Sequence, residues 1–153
     1  MATTITAQKA KLKGIIQGIT YNSEALTCAD TYTNNADVYP YCFILKMGTI
    51  PEVSETGVIF DVDREYMIKV AFDLTNDDVY TDILTNQLRL DTVEELIKDA
   101  LLTKANRSPT SGEWYDMKIT RIDQPYSDDG VQIIDNQYFL TFNITVTCEE
   151  LHT

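Results

Sequence analysis

From Tyr138 to Cys148 the chain alternates almost without a fault. Tyr138, Leu140, Phe142, Ile144, Val146 and Cys148 fall on one side, and Phe139, Thr141, Asn143, Thr145 and Thr147 on the other. Side chains of a strand project to opposite faces with a period of two, so this is a half-buried strand. At about 3.3 Å per residue it is about 36 Å long. Arg64 to Leu74 repeats the pattern, with Tyr66, Ile68, Val70 and Phe72 inward and Met67, Lys69, Ala71 and Asp73 outward. Trp114 to Ile122 reads as a third alternating strand, Tyr115, Met117 and Ile119 marking one face and Asp116, Lys118 and Thr120 the other.

Shorter strands are expected near Ala25–Cys28, at Val58-Ile59-Phe60, and at Tyr41-Cys42-Phe43-Ile44-Leu45. The last is too short for a helix, rich in aromatics, and opened by Tyr39-Pro40, where a proline suits the first position of a strand. Gly48 to Gly57 and Asp123 to Asn136 read as polar connections, the second with a turn signal at Asp128-Asp129-Gly130.

Helical periodicity occupies the remainder. Between Thr4 and Ile19 the residues Leu12, Ile15, Ile16 and Ile19 form a stripe, interrupted by Gly14 and Gly18, whose spacing would let another backbone approach closely. Thr92 to about Lys104 predicts a second helix. Thr92 and Glu95 make a capping box, Val93, Leu96, Ile97, Ala100 and Leu101 the apolar stripe, and Lys104 suits the negative C-terminal end. Asn76 to Leu90 fits a helical stripe behind an Asn76 or Asp77 cap, with strand or loop as the alternatives. Arg107 to Gly112 breaks the chain. Strand runs segregated around a helical interruption predict an α+β fold, a mostly antiparallel sheet flanked by an N-terminal helix and one or two central helices, in one domain spanning residues 1–153.

Charge changes the picture more than composition does. A hydrophobic share of 44% is ordinary for a globular chain. Against 12 basic residues stand 24 acidic ones, a net charge of −12, which repels nucleic-acid phosphates and anionic lipid. Cys28, Cys42 and Cys148 are odd in number and widely spaced, without a C-x-x-C pair, and read as buried thiols in a reducing compartment. The first residues lack the basic and apolar regions of a signal peptide, and no apolar run approaches the roughly 18 residues of a membrane span.

Catalytic chemistry finds little footing. His152 is the single histidine and next to last. No P-loop, G-x-G-x-x-G cradle or G-x-S-x-G elbow is present. Asp61-Val62-Asp63-Arg64-Glu65 opens like an oxygen-rich metal loop, but Tyr66 stands where the EF-hand needs glycine and Phe72 where it needs glutamate. In a strand, Asp61, Asp63 and Glu65 share one face, and their mutual repulsion predicts a solvated edge or, in an assembly, a surface facing a pore or a partner. Asp128 and Asp129 read as turn formers and as candidate interface residues. Tyr21, Tyr32 and Tyr126 lie in polar stretches and are candidate interface anchors. No cofactor or metal is expected.

The layout resembles that of the tail terminator (tail completion) proteins of long-tailed bacteriophages. The resemblance rests on an N-terminal helix, then Val38-Tyr39-Pro40-Tyr41-Cys42-Phe43-Ile44-Leu45, then Arg64 to Phe72. After these come the helix Thr92–Lys104, Trp114–Ile122, and Asp129-Gly130-Val131-Gln132 leading to Tyr138–Glu149. It implies a sheet flanked by helices, and a homo-hexameric ring in the virion at the head-proximal end of the tail tube. Such a ring caps tube polymerisation, contacts the tube protein on one side and the neck or head-completion protein on the other, and lets DNA pass without specific binding. The protein would be made in the host bacterial cytoplasm, with no enzymatic activity and no membrane partner. Asp61, Asp63 and Glu65 are the first candidates for the bore. A head–tail connector or a tail-tube subunit would share this layout, and a small enzyme or ligand-binding module is the alternative of another class.

Overall fold

The computed structural model describes residues 4–21, 23–29, 41–53, 59–73, 83–123, 131–134 and 137–151. Within these, positions 51–53, 59–61, 73, 83–87, 131–134, 137–140 and 151 are placed by backbone alone. The fold is α+β. Helix α1 (Thr4–Gln17) leads into a small hairpin of β1 (Thr20–Tyr21) and β2 (Glu24–Ala25). The main sheet contains β3 (Thr27–Ala29), β4 (Tyr41–Val53), β5 (Ile59–Asp73), β6 (Asp116–Asp123), β7 (Val131–Ile134) and β8 (Gln137–Leu151). Between β5 and β6 lie α2 (Ile83–Leu101) and the short α3 (Lys104–Arg107). Strand order is β3-β4-β5-β8-β6, with β7 beside the start of β8. All pairs are antiparallel except β3–β4.

Alternation dictates the core. Tyr66, Ile68, Val70 and Phe72 of β5 and Phe142, Ile144, Val146 and Cys148 of β8 are buried together. Register lines them up in rows: Ile44, Ile68, Ile144 and Ile122 cross four strands side by side, next to Cys42, Val70 and Phe142. Helices α1 and α2 cover this face with Leu12, Ile16, Leu90, Val93, Ile97 and Leu101.

Several expected elements change at their ends. Gly48 to Val53 continues β4, because β5 runs on opposite it as far as Ile59. Pro51 lies where β4 has a described neighbour on one side only, the kind of edge position at which a strand tolerates proline. Ile59 and Phe60 are the start of β5 and not a separate strand. The connection expected from Asp123 to Asn136 contains β7, paired to Gln137–Leu140. Trp114 precedes β6 and is buried, its Nε1 donating to the carbonyls of Asn106 (2.9 Å) and Arg107 (3.1 Å). Tyr115 is 59% exposed and not inward. A bulge at Thr120 shifts the phase of β6, so that Ile122 follows Ile119 onto the core face.

The Thr92 capping box does not form. Helix α2 runs through this position, and Thr92 Oγ1 donates to the carbonyl of Leu88, 2.7 Å away. A Ser or Thr hydroxyl inside a helix has the carbonyl four residues back within reach, which removes the need for a terminus there. The helical reading of Asn76 to Leu90 holds from Ile83 onward, while its expected cap lies outside the described residues. Lys104 opens α3, capped by Thr103, whose side chain accepts from the Asn106 N–H. Gly112 takes a φ of +82° in the exposed turn before β6, where a left-handed residue is needed.

The Gly14–Gly18 spacing predicts close approach of a neighbouring backbone. A Cβ built at Gly14 meets nothing within 4 Å. Gly14→Ala should therefore stabilise the chain by about 1 kcal/mol, the helix-propensity difference, read as a higher urea midpoint. An unchanged or lower midpoint would show that the position is constrained.

Burial also tunes the acids of the core. It pushes the Cys148 thiol from 9.0 up to about 12, with Arg64 opposing weakly. Burial, then Cys148, holds the Tyr66 hydroxyl above its ordinary 10.0. Below about pH 9 these groups are protonated in both states and stability is fully present. Above it the unfolded chain releases the Cys148 proton first, so stability should fall by about 1.4 kcal/mol per pH unit toward pH 12 for this thiol alone, and more steeply with Cys42, which burial raises in the same direction. Urea midpoints between pH 8 and 11 test this, and a flat profile would mean the thiol is not buried.

Candidate functional site: the open face of the sheet

The face of the sheet turned away from α1 and α2 carries the polar half of each alternating strand. Four strands contribute rows across it. Asp116, Glu149, Asp63 and Ile50 form one row; Lys118, Thr147, Glu65 and Gly48 the next; Arg121, Thr145, Met67 and Leu45 the third. Among the described residues no helix packs on this end of the face. Asp63, Glu65, Met67, Thr145, Thr147 and Glu149 are half-buried, whereas Lys118, Thr120 and Arg121 are exposed.

Electrostatics follow from the rows. Asp116, Glu149 and Asp63 are neighbours across β6, β8 and β5. Lys118 Nζ sits 2.8 Å from Glu149 Oε1. The hydrogen bond to Glu149 raises the Lys118 pKa, with its charge and those of Asp116 and Asp63 acting in the same direction. Arg121 Nε lies 2.5 Å from Asp123 Oδ2, and Arg107 is 3.7 Å from Asp116. These three cations are thus each engaged by a carboxylate, and Glu65 and Asp123 are the acids that line a shallow concavity of about 430 Å³ together with Met47, Met67, Thr120 and Arg121 among others. Such a surface can hold charge and accept hydrogen bonds. Among the described residues no three His, Cys, Asp or Glu side chains are grouped to hold a metal ion.

The sequence-predicted residues divide. Asp63 and Glu65 do share one face with each other and with the backbone position of Asp61. They lie on β5, in the middle of the sheet, and not at a solvated edge, because β4 and β8 pair along both sides. Tyr21 is half-buried and meets Phe72 edge-on, ring centroids 6.1 Å apart, so its ring is packed within the chain. Tyr32, Tyr126, Asp128, Asp129 and His152 lie outside the described residues. Glu149 and Asp116 complete the acidic row: alternation places Asp116 on an outer face, but only register brings it beside Glu149. Lys69 and Ala71 do lie on the outward face, but not in solvent. Both are buried, with Tyr41, Phe43 and Thr141, at the other end of this face.

The opposite side of the same sheet holds its own polar contacts. Arg64 pairs with Glu150, both largely buried. Tyr66 donates to Gln8 Oε1 at 2.6 Å, and Gln8 Nε2 donates to the Glu113 carbonyl at 2.9 Å. These link α1 to the sheet and to the segment before β6.

Among the described residues no helix is long and apolar enough to cross a membrane. No family model matches the chain, and no curated protein matches it.

Proposed function

We propose that this chain is a structural virion protein that closes into a homo-hexameric ring on the head-proximal end of a phage tail tube, stops tube polymerisation and joins the tail to the neck. The supporting observation is the open sheet face with its row of carboxylates. Turned toward the axis of a ring, Asp63, Glu65 and Glu149 repel the DNA backbone and let it slide, and six copies multiply the −12 of one chain.

The sheet edges suit the same reading. Beyond Phe43, β4 has no described strand on its outer side, and neither has β6. Direction alternates through β4, β5, β8 and β6, so β6 of one copy would run antiparallel to β4 of the next when both keep the same orientation. Met47 and Ile50 on one edge and Tyr115 beside the other are exposed at 55%, 62% and 59%. The bulge at Met47 and Pro51 blunt indiscriminate strand addition. A head-to-tail contact of this kind makes a ring if the rotation closes and a filament if it does not.

Native mass measurement and negative-stain imaging, with and without tube protein, test the assembly. A hexamer with a central opening is expected. Monomers under both conditions would overturn the reading, and long filaments of this chain alone would favour a tube subunit. Combining Asp61→Asn, Asp63→Asn and Glu65→Gln should change stability by no more than about 0.5 kcal/mol per site. It should also increase retention of DNA by the ring in a salt-sensitive way. Unchanged retention and ejection would remove these residues from the bore.

A further inference from the structure

Two of the three thiols face each other. β3 and β4 run parallel, and Cys28 is the register partner of Cys42. Neighbouring strands lie about 4.8 Å apart, inside the roughly 4.4–6.8 Å Cα separation that a disulfide spans and just beyond its roughly 3.5–4.5 Å Cβ separation, so β3 must shift slightly toward β4 for the bond to close. Both side chains enter the same buried cluster, so they leave the sheet on one face. Both sulfurs are in the reduced, thiol state. Cys148 lies on β8 opposite Arg64, with β5 between it and β4.

The geometry points to Cys28 and Cys42 as a dithiol–disulfide site whose oxidation ties the outer strand β3 covalently to β4. The oxidant is a small-molecule disulfide such as glutathione disulfide. One protein thiolate attacks it, forming a mixed disulfide and releasing one glutathione thiolate. The second protein thiolate attacks the mixed disulfide at the protein sulfur and releases the other. Two protein S–H bonds and one glutathione S–S bond become one protein S–S bond and two glutathione S–H bonds. The protein loses two electrons and two protons, and glutathione gains them.

The surroundings set the rate. The attacking species is the thiolate, and burial, then the charge of Cys28, pushes the Cys42 thiol well up. Reaction therefore waits on opening of β3. That strand is three residues long, is outermost in the sheet order, and has the Cys28 carbonyl accepting from Gln17 Nε2 at 3.3 Å. Once formed, the bond closes the segment from Cys28 to Cys42 and stops β3 from opening. A reducing compartment keeps the dithiol, and an oxidising medium favours the bond. This inference is independent of the proposed ring.

The full chain is equilibrated with glutathione and glutathione disulfide at graded ratios, quenched in acid and analysed for thiols and mass. No Lys or Arg lies between Lys13 and Lys46, so trypsin leaves both cysteines in one peptide, whereas cleavage at Asp30 or Asp37 separates them unless the bond holds. Expected are one remaining thiol at Cys148, a peptide lighter by two hydrogen atoms, halves that stay joined after cleavage at aspartate, and at least about tenfold slower amide exchange over residues 27–29 in the oxidised form. Thiols that persist at Cys28 and Cys42 under fully oxidising ratios, separate glutathione adducts on each, a bond to Cys148, or unchanged exchange in β3 would overturn it.

Discussion

Ile144→Asp is expected to abolish the folded state at ordinary temperature. Ile144 is fully buried and stands third in the row Ile44, Ile68, Ile144, Ile122. The substitution removes about 2–3 kcal/mol of apolar burial and sets a carboxylate among branched aliphatic side chains, where no cation lies in the row to pair with it. The combined loss exceeds about 4 kcal/mol, a large part of the stability of a domain this size. Urea unfolding followed by circular dichroism checks it, with Ile144→Val as the control at about 0.5–1.5 kcal/mol. A folded Asp variant with a mild loss would mean that the row is not the centre of the core.

The second large effect is expected at Gln8. This side chain is fully buried on the inner face of α1, accepting from the equally buried Tyr66 hydroxyl and donating to the Glu113 carbonyl. Gln8→Leu keeps the volume but leaves the buried Tyr66 hydroxyl and the part-buried Glu113 carbonyl without their partner. Each such group costs about 1–3 kcal/mol, so a loss of about 2–4 kcal/mol is expected. Adding Tyr66→Phe removes the stranded hydroxyl and should recover part of that loss, since an apolar pair avoids the unmet hydrogen bond. A double-mutant cycle measures the coupling. Additive losses would show that the two side chains do not act together.

The same contact shows why some of the fold was legible and some was not. Helical spacing marks Leu12 and Ile16 as inward, and Gln8 lies one turn earlier on the same stripe, but a glutamine carries no sign that it faces inward until Tyr66 is opposite it. Thr92 and Glu95 have the right spacing for a cap, yet a helix begins where the chain before it cannot continue the packing. Here Leu90 continues the buried face that Val93 extends, so the helix runs through. In β6 strict alternation predicts position 121 inward after Ile119, and the bulge puts Ile122 there instead, because Ile144 on β8 offers the apolar neighbour.

The acidic surface divides along the same line. That Asp61, Asp63 and Glu65 share a face follows from the two-residue period alone. That Asp63 has Glu149 and then Asp116 beside it, with Lys118 bound to Glu149, depends on the register of three strands far apart in the chain.

Sequence alone settled the α+β class, the long alternating strands, the inward faces of β5 and β8, and the excess of negative charge. Tertiary structure alone decided the strand order, the parallel β3–β4 pair, the bulges, the length of α2 and the neighbours of each carboxylate. Side-chain period is a property of one segment and its own backbone. Pairing and register are chosen between segments, by which apolar faces and backbone hydrogen bonds can be satisfied together.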